Sequence, residues 1–198
     1  MQIVNVGYDS TNYYVLGAAS NRLLVDVGWP GTLPKLLAML RRKDIALEDI
    51  GYFLITHYHP DHAGLAQELK AKGLRLIVLE QQISAIPQLK SYMKPINRYV
   101  DITLHDNLVM PAHASRTFLN GIGVAGEIIG TPGHSDDSVT LVLDASAAFT
   151  GDLPPPGFVD QSASHTVQRS WDALRALQVQ MIYPGHGPAR PLPPATIS

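Results

Sequence analysis

The 198-residue chain contains no cysteine. Disulfide scaffolds, thiolate nucleophiles and cysteine-based zinc sites are therefore excluded, and any transition metal must bind through histidine and carboxylate. Long hydrophobic runs are also missing. No window reaches the roughly 18 apolar residues of a membrane span, and the first seven residues carry no basic start leading into an apolar stretch. A cytoplasmic protein with no membrane attachment is the resulting expectation. Charge is sparse too: charged residues make up 16%, with a formal net charge of −2. The densest basic run, Arg41-Arg42-Lys43, reads as a solvated helix end and not as a phosphate-binding field, so nucleic acid is not expected as a partner.

What the chain does have is 45% hydrophobic residues, 16 glycines and 15 prolines, a globular composition with many turns. Its length suits a single domain over residues 1–198 and exceeds what would need a metal merely to fold. Apolar segments at 3–6, 12–16 and 23–27 read as a β-meander. Thr32 then reads as an N-cap, followed by Pro34 and by Leu33, Leu36, Leu37 and Leu40 at helical spacing. Tyr52-Phe53-Leu54-Ile55 is a buried strand by its short continuous apolar run. A helix is expected over 61–72, a strand at 74–79, and a helix at 81–90 interrupted at Pro87. The stretch 92–115 reads as irregular, with a strand at 100–104. Strands at 126–130, 139–143, 147–150 and 180–183, with a helix at 166–177, complete a layout of two strand groups each followed by helices, or sheet packed on sheet.

Eight histidines are present, three of them in the run Thr56-His57-Tyr58-His59-Pro60-Asp61-His62. If Leu54 and Ile55 end a strand, the two-residue spacing of His57 and His59 lets both converge on one ion beyond its tip. Asp61 and His62 open the next helix and can turn to a second ion. Imidazole and carboxylate suit zinc, and also iron or manganese, and two ions about 3.5–4 Å apart activate water. Such a site needs further ligands, and three turns offer them: Thr131-Pro132-Gly133-His134-Ser135, Thr150-Gly151-Asp152 and Tyr183-Pro184-Gly185-His186-Gly187. Taken singly, His134 and His186 would be ordinary loop histidines and Asp152 a turn aspartate. The joint pattern is what carries the reading.

In this pattern the sequence resembles the metallo-β-lactamase fold superfamily. The likeness runs from Thr11-Asn12-Tyr13-Tyr14-Val15-Leu16 and Leu24-Val25-Asp26-Val27-Gly28, through the His-x-His-x-Asp-His run, to Pro184-Gly185-His186. The resemblance implies an α/β fold, a four-layer αββα sandwich of two mixed β-sheets with external helices. It also implies two divalent metal ions, zinc first with iron or manganese as alternatives. His57, His59 and His134 would bind one ion, Asp61, His62 and His186 the other, and Asp152 would bridge them. Asp26 either caps the turn at Gly28 or accepts a hydrogen bond from a ligand imidazole.

The implied activity is hydrolysis of a small ester, thioester, lactone, amide or phosphoester by a metal-bridging hydroxide, with Asp61 and Asp152 as catalytic groups. The alternative is an iron-dependent oxidoreductase resembling persulfide dioxygenases. Departures from familiar branches narrow this expectation. Asp152 stands where true β-lactamases usually lack aspartate, and Leu153-Pro154-Pro155 follows it where quorum-quenching lactonases carry a tyrosine. The chain stops soon after His186, without the helical glutathione-binding region of glyoxalase II. Neither the arm and basic surface of ribonuclease Z nor a flavin domain is evident. Tyr8, Trp29 and Phe158 are candidate walls of a partly hydrophobic small-molecule pocket, and His165 is either a substrate contact or a surface residue.

Overall fold

A computed structural model describes residues 1–17, 21–155 and 161–192. Six strands form the first sheet: β1 (Ile3–Asn5), β2 (Tyr14–Leu16), β3 (Arg22–Val25), β4 (Ile50–Leu54), β5 (Arg75–Leu79) and β6 (Leu108–Met110), in that spatial order. The first three run antiparallel, whereas β3 to β6 are mutually parallel. The second sheet has the order β11-β10-β9-β8-β7, from β7 (Gly126–Gly130), β8 (Val139–Leu143), β9 (Ala147–Gly151), β10 (Met181–Pro184) and β11 (Arg190–Pro191). Here β9 and β10 are parallel and the other pairs antiparallel, so both sheets are mixed.

Alternation along each strand assigns residues to layers. Tyr14, Leu16, Leu23, Val25, Leu54, Ile77 and Leu79 point to the gap between the sheets, where they meet Ile128, Val139, Leu141 and Phe149. Their neighbours Val15, Leu24, Phe53, Ile55, Leu76 and Val78 face the opposite way, onto Leu36 and Leu40 of α1 (Leu33–Arg42) and Leu69 of α3 (Ala66–Lys70). On the outer face of the second sheet, Val142, Ala148 and Ile182 pack against Val167, Trp171 and Leu174 of α5 (Gln161–Ala176). The result is the expected αββα sandwich. Burial on both faces is why these strands read as continuous apolar runs.

Several local expectations are corrected. The helix foreseen over 61–72 is two pieces, α2 (Pro60–Ala63) and α3. The Leu65 amide donates to the Gly28 carbonyl at 3.0 Å, and the Asp61 carbonyl it would have used accepts the Tyr13 hydroxyl at 3.2 Å. Thr32 stands at the start of α1 but does not cap it, because its hydroxyl donates to the Trp29 carbonyl at 2.6 Å. The stretch 81–90 forms 3₁₀ turns rather than a helix.

No strand occupies 100–104, where Val100 and Leu104 are exposed. The Lys70 ammonium instead gathers that segment, donating to the Thr103 and His105 carbonyls and to Asn107 Oδ1. Strand β6 and helix α4 (Ser115–Gly121) fall where no regular element was expected, and β11 lies in the proline-rich tail. Among the described residues no helix is long and apolar enough to cross a membrane.

Gly64 sits at the break between α2 and α3. A Cβ there would run into the Pro30 ring and lie 2.5 Å from the Pro60 carbonyl oxygen. Gly64→Ala is therefore expected to destabilise the fold by about 1–3 kcal/mol. Urea denaturation should show a lowered midpoint with an unchanged slope.

Candidate metal centre

The candidate ligands sit just beyond the C-terminal ends of strands from both sheets. After β4 the chain turns through Thr56 and His57, with His59 at the N-terminal boundary of α2 in extended conformation. Asp61 and His62 ride on α2, which the Val27 amide holds by donating to the His62 carbonyl at 2.9 Å. His134 lies in the β7–β8 turn, which closes through the Thr131 amide to the Ser138 carbonyl. The Val139 amide donates to the Thr56 carbonyl at 2.8 Å, tying that turn to the first sheet. Asp152 follows β9. Its neighbour Gly151 has φ +52°, and a Cβ there would strike the Thr56 hydroxyl. His186 follows β10, whose end is pinned by Asn12: its side-chain amide donates to the Pro184 and Gly187 carbonyls.

These elements bring the seven predicted ligands together in three overlapping groups: His57, His59 and His134; His57, His62 and Asp152; and Asp61, His62 and His186. Within each group the donor atoms lie within 4.8 Å of one another. Asp152 is central. Its Oδ2 is 3.9 Å from His57 Nε2, 3.7 Å from His134 Nε2 and 3.4 Å from His186 Nε2, and its Oδ1 is 3.4 Å from His62 Nε2. Asp61 Oδ2 is 3.2 Å from His186 Nε2 and 3.5 Å from His62 Nε2.

The ring nitrogens divide into an anchored set and an inward set. His62 Nδ1 donates to Asp26 Oδ2 at 2.8 Å, His186 Nδ1 donates to the Ser10 carbonyl at 2.7 Å, and His57 Nδ1 lies 3.2 Å from the Thr56 hydroxyl. The opposite nitrogens face inward. His57 Nε2, His62 Nε2 and Asp152 Oδ1 are buried with no hydrogen-bond partner. Buried polar atoms are seldom left unpaired, and inward-facing donor atoms gathered in this way fit a cation between them. Five imidazoles and two carboxylates are the donor chemistry of zinc, iron or manganese sites. The residues therefore fit the metal that the sequence pattern implies.

Protonation follows from burial. Burial pushes the His57 pKa well below the usual imidazole value, reinforced by neighbouring His62 and His134, so this ring is a neutral donor. Burial also lowers His134, with His59 adding to the effect against the opposing pull of Asp152. His62 goes the other way. Burial works against its charge, but the Asp26 and Asp152 carboxylates overcome it and push the pKa up to about 10. Asp152 is held below the usual carboxylate range, because the His62, His186 and His134 imidazoles outweigh its burial.

Asp26 is 2% exposed and accepts from both the Thr56 amide and His62 Nδ1, so of its two sequence readings the imidazole contact is the one formed. Tyr8 directs its hydroxyl to Thr32 at 2.6 Å and packs edge-on against Tyr13, and Trp29 is exposed on the following loop. Neither lines the two clefts that open on the ligand cluster. His165 is exposed near the start of α5, next to Thr166, which borders a groove beside His134. Phe158 lies outside the described residues.

One cleft, of about 220 Å³, is bordered by His59, Gln81, Gln88, Tyr92 and Asp136. The other, of about 300 Å³, contains His134, Asp152, His186, Leu153 and Arg190. Gln81, Tyr92, Asp136 and Arg190 carry no metal-ligand spacing, which is why the sequence does not single them out. Thr11, whose hydroxyl donates to Asp61 Oδ2 at 3.0 Å, and Thr56 were visible only as flanking residues of motifs.

The chain belongs to the metallo-beta-lactamase superfamily, whose family model matches residues 6–186. It is 27% identical over 181 residues to the "Beta-lactamase-like protein 2 homolog" of Drosophila melanogaster, covering 89% of this chain and 58% of that protein. The "Lactamase-like protein nscB" of Neosartorya fischeri is 28% identical over 181 residues, covering 89% of this chain and 48% of that one. The chain thus spans about half the length of the curated relatives it matches. Among solved structures, a metallo-beta-lactamase family protein from Thermus thermophilus has a TM-score of 0.71 at 19% identity, covering 96% of this chain and 74% of that one. The metallo-beta-lactamase FIM-1 from Pseudomonas aeruginosa has a TM-score of 0.66 at 21% identity, covering 91% and 78%. Both likenesses concern the fold.

Two outcomes follow for metal uptake. Asp26→Asn keeps an oxygen for the Thr56 amide but cannot accept the His62 Nδ1 proton as well. Zinc affinity, measured by competition with a chromophoric chelator, should fall about 10–100-fold. In the metal-free protein the raised pKa of His62 stabilises the fold fully below pH 6.5, and this contribution fades as pH rises towards about 10. Metal binding between these values must displace the His62 proton, so affinity should climb with pH. Calorimetric zinc titrations at pH 8, in two buffers of different ionisation enthalpy, should register the released proton.

Proposed function

We propose that the protein is a dinuclear metal-dependent hydrolase acting on a small ester, thioester, lactone, amide or phosphoester. The observation that carries this reading is the arrangement of seven donors in overlapping groups around Asp152, with the inward atoms of His57, His62 and Asp152 unpaired. His57, His59 and His134 would hold one cation, Asp61, His62 and His186 the other, with Asp152 shared. Zinc is the first candidate metal. A bound pair of dications would supply a water acidified towards neutral pH and a Lewis acid for a carbonyl or phosphoryl oxygen.

The chain's own residues do the rest. Hydrogen bonds to Asp26, Ser10 and Thr56 on the far side of three rings fix where their inward nitrogens point, so little rearrangement is needed as charge develops. Asp61, steadied by the Thr11 hydroxyl and beside His62 and His186, would take up a proton during turnover. No nucleophilic serine or cysteine is called for. The two clefts have the capacity for a small molecule, and each is lined by candidate ligands, His59 in one and His134, Asp152 and His186 in the other.

Metal analysis of protein purified without supplement, followed by a substrate panel on zinc-, manganese- and iron-loaded samples, tests this reading. Two equivalents of metal with hydrolysis of at least one ester class are expected. Asp152→Ala should lower that activity about a hundredfold or more, equivalent to a few kcal/mol of transition-state stabilisation, and reduce metal content. Iron content with oxygen consumption and no hydrolysis would sink the proposal in favour of an oxidoreductase.

A further inference from the structure

Among the described residues, the cleft of about 300 Å³ on the Asp152 side is lined by one cationic residue, Arg190. The rest of its wall comprises the candidate ligands His134, Asp152 and His186 together with apolar Leu153 and Pro155. Arg190 begins β11 and is held at the edge of the second sheet by its pairing with Ile182 on β10, the strand that leads into His186. The Leu192 amide donates to the Gln180 carbonyl at 2.8 Å and closes the same hairpin. The guanidinium is thus carried on a regular element, four residues beyond a ligand.

Arg190 is half-buried, and among the described residues its side chain forms no ion pair or hydrogen bond. Several other basic side chains are engaged, Arg116 with Glu127 and Asp144, Lys35 with Asp9, Lys90 with Asp101, and Lys70 with the 103–107 segment, whereas Arg190 lines a cleft that also holds candidate ligands. A half-buried guanidinium with no carboxylate partner among the described residues is poised for a planar oxyanion, which its two-pronged donor geometry matches. Asp152 lines the same cleft but faces the histidines, with Oδ2 towards His57, His134 and His186.

We propose that Arg190 binds an anionic group of the substrate, a carboxylate or a phosphate, displaced from the bond that is cleaved. The preferred substrates of the site are then small esters or thioesters bearing a second, negatively charged end. This rests on the hydrolase reading for the reaction but not for the anion site itself, which can be probed by binding alone. Apolar Leu153 and Pro155 beside the guanidinium leave room for a short carbon chain between the two ends.

The test uses zinc-loaded protein and straight-chain diacids of three to six carbons. Each is compared by calorimetry with its monoamide, and the best length is repeated with a phosphonate in place of the remote carboxylate. The diacid or phosphonate is expected to bind about tenfold or more tightly than the monoamide at one chain length, the usual scale of a charge-assisted hydrogen bond. In Arg190→Met the ratio should collapse towards one, and in Arg190→Lys it should be intermediate. The stronger of the carboxylate and phosphonate arms identifies the anion. A wild-type ratio near one at every length, or a ratio that survives Arg190→Met, would overturn the proposal. If the ratio and its loss in Arg190→Met are found but no ester is hydrolysed, the anion site stands and the hydrolase reading fails.

Discussion

The Asp26 carboxylate is the contact on which the rest of the site depends. It stands just past the end of β3 in a left-handed conformation, φ +60°, and is 2% exposed. One oxygen takes the Thr56 amide at 2.8 Å, and the other takes the Thr56 hydroxyl and His62 Nδ1, each at 2.8 Å. A buried carboxylate is costly unless its lone pairs are filled, and here donors from the end of β4 and from α2 fill them. The backbone repeats the link, as the Asp26 amide donates to the Leu54 carbonyl at 2.9 Å. One side chain thereby fixes the exit of β4, the facing of His62 and the position of the Thr56 hydroxyl against Gly151.

A single sheet could not assemble this cluster. His57, His59, Asp61 and His62 come from the rim of the first sheet, and His134, Asp152 and His186 from the rim of the second. The two rims are joined by hydrogen bonds that cross the sandwich: Val139 to Thr56, Tyr14 to the Pro184 carbonyl, and Asn12 to the β10 exit. Those bonds hold the rings of His57, His59 and His134 with centroids 4.6–4.8 Å apart. Glycine is needed where chains approach most closely. A Cβ on Gly185 would sit 2.5 Å from Asp152 Oδ1 and 2.6 Å from the His62 ring.

Most of the layering was legible in the sequence, because strands buried on both faces are written as unbroken apolar runs such as Phe53-Leu54-Ile55 and Leu76-Ile77-Val78-Leu79. The ligand motifs were legible because their spacing is local: a strand end, a tight turn, a helix start. What could not be read is whatever depends on distant partners. The break after α2 comes from the Gly28 carbonyl and the Tyr13 hydroxyl, both far from Leu65 in sequence. The segment around Thr103 is shaped by the Lys70 ammonium, so the apolar spacing of Val100, Ile102 and Leu104 suggested a strand that does not form. Arg190 carries no pattern of its own, and only the β10–β11 pairing brings it to the cleft.

The distribution of the core also separates the metal site from the problem of folding. Three apolar clusters, one between the sheets and one beneath each helical layer, are assembled without any candidate ligand. In the metal-free state the charge of Asp26 and Asp152 is met by the proton on His62, which sits between them at 2.8 and 3.4 Å. Small zinc domains fold only around their metal. In this chain the sandwich and the Asp26 clamp hold the donors in place without a metal, so on the hydrolase reading the energy of metal binding would not be consumed in building the site.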